Sequence, residues 1–246
     1  MPVRESEAIV LRTYPLGEAD KLVSFLSRSE GRLRGVAVGA RRPKSRFGST
    51  LEPLTYINAW FYERETRQLV RIRECELLES FLDAQRSYTT NVAFGLLAEV
   101  TETVLPEHEA SDPAFRLLLA TCRAIKRTGR VALPIAYFAL WTVRLGGWLP
   151  PLERCSRCGR GMLGRAAWAS DDGSAVFCDE CRPTAARAIS PEALRQIQPM
   201  LREPLEKLAA AGESRVPAEL TNFLLDLIER HAERKLNTRP MLELTQ

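Results

Sequence analysis

The chain has 246 residues, of which 45% are hydrophobic, so it can bury a sizeable core in one large domain or in two or three smaller ones. No apolar run approaches the roughly 20 residues of a membrane-spanning helix, and the net charge of +4 is modest. The chain starts with a charged segment and shows no signal peptide, so we expect a soluble cytoplasmic protein without a membrane partner.

The first part of the chain is rich in β-branched and aromatic residues that turn signals divide into five segments. These segments are residues 8–11, 21–26, 33–38, 54–62 and 68–78, with the last turn at residues 63–67. Five short strands in about eighty residues are typical of a small closed barrel. The sequence therefore predicts an OB-fold over residues 1–82, a fold that commonly binds single-stranded nucleic acid.

Basic residues are concentrated between residues 28 and 46, where seven cationic side chains face one acidic side chain, Glu30. The seven are Arg28, Arg32, Arg34, Arg41, Arg42, Lys44 and Arg46. A solvated loop tolerates two or three such charges, but four within residues 41–46 repel one another unless an anion lies between them. This pattern favours phosphate binding. The predicted DNA-binding residues are Arg32, Arg34, Arg41, Arg42, Lys44, Arg46 and Phe47.

Four aromatic residues close to this segment could stack on bases or fill the barrel core. Trp60, Phe61 and Tyr62 are consecutive on a predicted strand, so at least half of these rings are expected inside the barrel, and the core is favoured for Trp60. Phe47 follows the basic cluster directly, and for this ring core and stacking remain equally open.

From Ser87 onward the apolar residues recur with a helical period. The stripes predict one helix ended by Pro106, others at residues 112–129 and 134–146, one capped by Ser190, and a last one at residues 217–236. The chain is thus predicted to be a multidomain α and β protein. Its helical C-terminal domain covers residues 83–149 and 185–246, and a separate segment is inserted at residues 150–184.

The inserted segment contains two CxxC pairs separated by nineteen residues. This spacing is typical of a tetrahedral zinc ribbon with the ligands Cys155, Cys158, Cys178 and Cys181. Four protein ligands leave no open position for water, so one structural Zn²⁺ per chain is expected. Two disulfides or a redox-active pair are the alternatives, and a reducing cytosol favours zinc.

The spacer between the pairs carries Trp168, Gly173 and Phe177 in a pattern that predicts a β-hairpin. The hairpin would bring the second CxxC pair up to the first. Cys75 and Cys122 lie in strand-like and helix-like runs, where a lone cysteine is usually a small buried hydrophobe.

Sequence patterns of catalysis are missing. The sequence has no GxxxxGK[ST] phosphate loop, no GxGxxG after a strand and no HExxH. The two histidines, His108 and His231, are far apart in sequence, and the glutamates are typical of solvated faces and caps. We therefore expect a protein that is not an enzyme and has no small-molecule substrate.

The basic segment 39–48, followed by Leu51-Glu-Pro-Leu54, resembles the RecO family of bacterial recombination mediators. The resemblance extends over nearly the whole chain in order and spacing. Residues 1–81 are similar to the family's OB-fold, 108–119 to its acidic loop and helix, 150–181 to the zinc ribbon of zinc-bearing members, and 231–239 to its C-terminal helix.

This resemblance implies a DNA repair and recombination mediator that is cytoplasmic and associated with the bacterial nucleoid. Such a protein binds single- and double-stranded DNA without sequence specificity and anneals complementary strands. With RecR it promotes loading of RecA onto single strands coated by the single-strand-binding protein SSB. A basic loop that neutralises phosphates without reading bases suits this activity.

The resemblance also implies a contact with the acidic C-terminal tail of SSB, which needs an apolar groove edged by cations. The candidate residues are Arg123, Lys126, Arg127 and Arg130, beside the stripe that ends at Leu119 and Cys122. The alternative is a solvated helix face, because cations near a helix C-terminus are favoured by the helix dipole.

Two other classes of protein are weaker alternatives. In a zinc-ribbon transcription regulator the ribbon would grip duplex DNA, but Arg160 and Arg165 are offset by Asp171 and Asp172, and no helix-turn-helix is evident. A metal-dependent nuclease would need a carboxylate cluster that the sequence does not suggest.

Overall fold

The computed structural model describes residues 3–62, 69–162, 164–211 and 216–243. The chain divides into two compact units, one formed by residues 1–126 with 238–246 and the other by residues 127–237. The predicted barrel lies in the first unit and the four-cysteine segment in the second.

Five strands of the first unit close into a barrel in the order β1-β2-β3-β5-β4. They are β1 (Val3–Leu16), β2 (Asp20–Ser27), β3 (Gly31–Ala37), β4 (Tyr56–Tyr62) and β5 (Val70–Glu79). Neighbouring strands are antiparallel, except that β3 and β5 are parallel. The predicted OB-fold is confirmed, while the turn predicted at residues 63–67 lies outside the described residues.

Strand β1 closes the barrel because it pairs with two neighbours. Its first half, Val3 to Ile9, pairs with β4, and its second half, Ala8 to Leu16, pairs with β2. A register shift between Val10 and Arg12 marks a β-bulge, which bends a strand and increases its twist. One long bent strand therefore pairs with neighbours on both sides, and the barrel is completed by a short parallel pairing of β3 with β5 over three residues of each strand.

Inward-facing residues of all five strands fill the barrel. The rings of Phe25 and Phe61 meet edge to face with their centroids 5.8 Å apart. The segment between β3 and β4 contributes Phe47 and Leu51 to the same core. This long connection is therefore anchored in the barrel by its own apolar side chains. Trp60, in contrast, is only half-buried and does not belong to the core, since it alternates with the buried Ala59 and Phe61.

Three α-helices of the described residues complete the first unit: α1 (Tyr88–Val104), α2 (Asp112–Thr128), whose last two residues lie beyond the boundary, and α7 (Arg239–Glu243). The Ser87 hydroxyl accepts the N–H of Thr90 and caps α1. Glu99 of α1 is 2% exposed and accepts hydrogen bonds from the N–H and the hydroxyl of Thr238 at 2.9 and 2.6 Å. These bonds attach the end of the chain to α1.

Within the first unit the barrel packs on the helices. Arg12 of β1 forms an ion pair with Glu102 of α1 at 3.0 Å. Gly31, at φ +75°, lies so close to the segment before α2 that a Cβ there would be 2.2 Å from the carbonyl oxygen of Glu109. Glycine is required at this turn because it adopts a positive φ without strain and has no Cβ to clash with Glu109.

The second unit is built around α3 (Ala132–Leu145), ten of whose residues are buried. It also contains α4 (Pro191–Arg202), α5 (Leu205–Ala210) and α6 (Ala218–His231). The indole N–H of Trp141 donates to the carbonyl oxygen of Met200 at 3.0 Å and joins α3 to α4. The last predicted helix ends at His231 instead of residue 236, because the chain reverses at Glu233, which has a φ of +51°.

The four-cysteine segment carries β6 (Ala167–Ala169), β7 (Val176–Phe177) and β8 (Arg187–Ile189) in the sheet order β7-β6-β8. The predicted hairpin is β6–β7, and β8 adds a strand beyond residue 184. Gly173 in the hairpin turn has a φ of +71°, and a Cβ there would lie 2.3 Å from Leu227 of α6. The hairpin turn therefore docks directly on α6. No helix in the described part of the chain is long and apolar enough to cross a membrane.

Candidate nucleic-acid interface and metal centre

The loop at residues 38–46 leaves β3 and is held against the β1–β2 turn. The Gly39 N–H donates to Asp20 Oδ1 at 2.8 Å, and the Arg41 N–H donates to the carbonyl oxygen of Ala19 at 2.9 Å. The Arg41 guanidinium also donates to the carbonyl oxygen of Gly17 at 2.8 Å. Gly39 adopts a φ of +75°, which redirects the chain at the end of β3. The base of the loop is thus fixed by the barrel.

Four cationic side chains, Arg41, Arg42, Lys44 and Arg46, project from this loop into solvent. None of them forms an ion pair with a residue that the structure describes. We refer to these four residues as the loop cations. Uncompensated like charges held this close together raise the local potential and attract a polyanion.

The other arginines of the basic segment are neutralised within the first unit. Arg28 pairs with Glu7 and Asp112 at 2.6 and 2.7 Å. Arg32 pairs with Glu107 at 3.1 Å and also donates to the carbonyl oxygen of Leu105.

Arg34 binds the same carboxylate, Glu107, at 2.8 Å. The placement of Arg32 and Arg34 does not support the prediction that they contact DNA, because each would first have to leave Glu107. Their role in the structure is to hold β3 against the segment that follows α1.

Phe47 is 1% exposed and lies in the barrel core. The Arg46 guanidinium lies over its ring, 5.1 Å from the centroid. A base could reach this ring only if the loop refolded, so the placement argues against the predicted stacking role. The burial of Phe47 instead fixes the position of Arg46, the last of the loop cations.

Sequence reasoning missed a partly apolar surface beside the loop. One outward-facing row of side chains crosses four neighbouring strands of the barrel. It consists of Tyr14 on β1, Leu22 on β2, Val36 on β3 and Arg71 on β5, and Tyr14 is 46% exposed. Leu16 and Val38 are exposed at the ends of β1 and β3. The available signal was a tyrosine and a leucine at alternate positions immediately before the Gly17 turn.

Trp60 lies in a different chemical environment. Its neighbours in register on the adjoining strands are Glu5 and Glu74, and such acidic surroundings disfavour contact with phosphate. The exposed aromatic residue closest to the loop in the strand order is therefore Tyr14, not Trp60.

The residues predicted to bind the SSB tail are distributed over both units. Arg123 and Lys126 pair with Glu79 at 2.8 and 3.0 Å in the first unit. Burial acts to raise the pKa of Glu79, but the hydrogen bonds from these two cations outweigh it and lower that pKa.

Arg127 and Arg130 belong to the second unit, where Arg127 donates to the carbonyl oxygen of Glu206 at 3.3 Å. The apolar residues Leu119 and Cys122 are themselves buried, at 8% and 0% exposure. They therefore do not supply the open apolar groove that the sequence suggested.

The four predicted ligands converge at one place in the second unit. The Sγ atoms of Cys155, Cys158, Cys178 and Cys181 lie within 4.8 Å of one another, and those of Cys158 and Cys178 are 3.7 Å apart. Tetrahedral thiolate ligands at about 2.3 Å from a metal have sulfurs about 3.8 Å apart, whereas a disulfide needs about 2.05 Å. The spacing fits a shared metal ion.

Local hydrogen bonds preform this cluster. The Ser156 N–H donates to the carbonyl oxygen of Val176, which ties the first CxxC pair to β7. Burial acts to raise the pKa of the Cys155 thiol, but backbone N–H groups of Cys158, Cys178 and Arg157 outweigh it and lower that pKa to about 6. A hydrogen bond shared with Cys178 raises the pKa of Cys181 to about 12. Metal binding requires thiolates, so a metal ion that bound here would release the protons that the four sulfurs share.

Comparison with known proteins agrees with the architecture of a barrel followed by helices and a cysteine cluster. The family model described as "Recombination protein O N terminal" matches residues 1–81, and "Recombination protein O C terminal" matches residues 85–240. The chain belongs to this family, whose named members are DNA repair proteins.

Three relatives illustrate the extent of the similarity. The chain is 40% identical over 243 residues to the DNA repair protein RecO of Koribacter versatilis, covering 98% of each chain. It is 32% identical to the DNA repair protein RecO of Frankia casuarinae, over 99% of each chain. Identity to the DNA repair protein RecO of Syntrophobacter fumaroxidans is 30%, over 99% of this chain and 98% of the relative.

Proposed function

We propose that this chain is a non-catalytic DNA repair and recombination mediator whose barrel binds single- and double-stranded DNA through the phosphate backbone. The observation that carries the proposal is the group of four loop cations, which are exposed and make no ion pair among the described residues. Lysine and arginine side chains neutralise phosphates regardless of sequence, so binding is not sequence-specific.

The same chemistry supports annealing of complementary strands. A protein that holds a strand by its phosphates leaves the Watson–Crick edges of the bases free to pair. Tyr14 and Arg71, beside the loop, offer one ring and one cation to an unpaired strand. Cooperation with RecR in loading RecA onto SSB-coated strands rests on family membership.

We also propose that one Zn²⁺ is held by Cys155, Cys158, Cys178 and Cys181. Four thiolates at tetrahedral spacing are the ligand set that zinc prefers in structural sites. A bound zinc ion would crosslink the two CxxC pairs, and the four thiolates would be its only protein ligands.

The SSB tail remains a proposed partner. The candidate residues remain Arg123, Lys126, Arg127 and Arg130, of which Arg123 and Lys126 would first have to leave Glu79. Charge removal at Arg127 and Arg130 should weaken binding of an SSB tail peptide if they form its site, and unchanged affinity would place the tail elsewhere.

The central test replaces Arg41, Arg42, Lys44 and Arg46 with alanine. A loop that contacts three or four phosphates should lose several-hundred-fold in affinity, and the slope of log K against log salt should flatten by about two to four. Titration of a fluorescent oligonucleotide at several salt concentrations measures both quantities. Thermal melting checks the fold, which loses no buried group.

A matched pair of variants controls for total charge. Arg41→Ala/Arg42→Ala and Arg195→Ala/Arg202→Ala each remove two exposed arginines, the second pair from α4 in the other unit. Only the first should flatten the salt slope. Equal effects of the two pairs, or unchanged binding by the quadruple variant, would refute the loop as the DNA site. Annealing that required ATP would refute the non-catalytic assignment.

A further inference from the structure

The ribbon sheet β7-β6-β8 has two unlike faces. Val176, Ala169 and Ile189 are buried, and the hairpin turn on this side docks on α6 through Gly173. The opposite face carries one row across the three strands, in which Trp168 is paired in register with Phe177 on one side and with Ala188 on the other. Both rings are half-buried and Ala188 is exposed. The ribbon is thus attached by one face and presents two neighbouring rings on the other.

An arginine lies over each of these rings. The Arg182 guanidinium is 4.4 Å from the centroid of Trp168, and that of Arg157 is 5.8 Å from the centroid of Phe177. A guanidinium is planar and stacks on an aromatic face in the position that a nucleobase also occupies. Arg157 forms no ion pair among the described residues, and Arg182 has only a long, exposed pair with Asp179 at 3.6 Å. Each guanidinium can therefore leave its ring and bind a phosphate without breaking a strong ion pair.

The indole N–H of Trp168 adds an independent observation. This donor is buried and has no acceptor among the described residues. Buried donors in folded proteins are almost always paired. Its acceptor has to lie in the plane of the indole at the ring edge, so an oxygen of the nucleotide next to a stacked base would satisfy it.

We propose that this face of the ribbon, formed by Trp168, Phe177, Arg157 and Arg182, is a second contact for single-stranded DNA. Unpaired bases stack on the two rings while the arginines move to the adjoining phosphates. The proposal rests on the DNA-binding function proposed above. Single strands are favoured over duplex because the faces of paired bases are hidden inside the stack, whereas every unpaired base offers one.

The cysteine cluster determines the position of both arginines. Arg157 lies between Cys155 and Cys158, and Arg182 follows Cys181 directly. A third arginine of the ribbon, Arg160, is neutralised, because it pairs with both carboxylate oxygens of Glu180 at 2.6 and 2.8 Å. The site is therefore a stacking surface with two exposed cations, and it differs in kind from the group of loop cations on the barrel.

This difference gives the two sites distinct experimental signatures. Stacking is insensitive to salt, whereas each phosphate contact contributes about 0.7 to the salt slope on single strands. Phe177→Leu keeps an apolar side chain but removes the aromatic face. It should lower affinity for an oligothymidylate about tenfold, leave affinity for a duplex of equal length unchanged, and leave the salt slope unchanged. The loop variants should instead flatten the slope on both kinds of DNA.

Metal content and melting of Phe177→Leu check that the ribbon is intact. If that variant loses its metal, Arg157→Gln is the second test, because this exposed side chain has no buried contact to lose. It should weaken oligothymidylate binding and lower the yield of ultraviolet crosslinks from a 5-iododeoxyuridine oligonucleotide to peptides containing Trp168 or Phe177.

The proposal is overturned if an intact Phe177→Leu protein binds the oligothymidylate with unchanged affinity and unchanged crosslinking. It is also overturned if single strands and duplex lose affinity equally, since that result assigns the face to phosphates alone. Loss of binding by the loop variants with no effect of the ribbon variants would leave the proposed function standing and reject only the ribbon contact. The reverse pattern would reject the loop and keep the ribbon.

Discussion

The barrel and the ribbon are both small β-structures, but they are stabilised in different ways. The barrel has five strands of seven to fourteen residues, closed around a continuous apolar core that includes Phe25 and Phe61. The ribbon has three strands of two or three residues. Its four cysteines bring their Sγ atoms within 4.8 Å of one another. A sheet so short buries too little apolar surface to order itself, so crosslinks must replace the missing core.

This difference separates two kinds of exposed residue. On the barrel, we expect substitution of the loop cations to cost little stability, because these side chains are exposed and the core beneath them is continuous. On the ribbon, the exposed arginines and rings are only a few residues from the four clustered cysteines, so we expect the proposed DNA contact there to depend on the proposed metal. Three substitutions and one matched control test this comparison.

The largest effect is expected from Cys158→Ser. Structural zinc contributes on the order of 10 kcal/mol in small zinc-binding peptides, so loss of one ligand should release the metal and unfold β6 to β8. Hydrogen exchange should rise throughout the ribbon and remain low in the barrel. Elemental analysis measures the metal directly, and a Cys158→Ser protein with full zinc content would contradict the assignment.

Cys75→Ala is the matched control, since it also removes one sulfur. Burial raises the pKa of the Cys75 thiol to about 12, so it stays protonated and does not compete for metal. This variant should retain one zinc per chain.

Phe61→Ala should have the second-largest effect, and this effect should be on the barrel. Phe61 is fully buried against Phe25, and truncation of a core phenylalanine costs about 3–5 kcal/mol. Chemical denaturation should show this loss in the barrel while the zinc content stays unchanged. If the ribbon lost its metal together with the barrel, the two regions would not be independently stabilised.

Asp172→Ala should have the smallest effect. The hydroxyls of Ser170 and Ser174 and the Ser174 N–H donate to this carboxylate and lower its pKa to about 2. Since an unfolded aspartate titrates near 3.9, the carboxylate stabilises the turn fully above about pH 4, and the contribution is lost as the pH falls through 2.

Because the side chain is exposed, solvent screening reduces this contribution to about 1 kcal/mol at neutral pH. Hydrogen exchange of the Ala175 N–H, which bonds to Ser170 Oγ, reports on it. An exchange rate at pH 7 that is equal in Asp172→Ala and the native protein would show that the carboxylate adds nothing to the backbone hydrogen bonds of the turn.

Local patterns in the sequence predicted the features that depend on neighbouring residues. The five strands follow from alternation and turns, and the convergence of the four cysteines follows from the spacing of the CxxC pairs. The β6–β7 hairpin follows from Gly173 and its neighbours. Each of these features is determined within a few residues along the chain.

Features set by long-range contacts were missed. Glu107 neutralises Arg32 and Arg34 from more than seventy positions away, and no local pattern reveals that pairing. Phe47 lies in the barrel core, and its place beside four cations could not decide between the core and the stacking alternatives. The strand β8 has only three residues, too few to show a period.

The hydrogen bonds between Glu99 and Thr238 have a practical consequence for dissecting the molecule. The chain leaves the first unit near residue 126 and returns to it at residue 238, so the second unit is an insertion in sequence. A fragment truncated at residue 237 would lack α7 and would remove both Thr238 donors from the buried Glu99 carboxylate. Deletion of the C-terminus would thus damage the unit that contains the N-terminus. Excision of residues 127–237, which keeps Thr238 and α7, is the route to an isolated first unit.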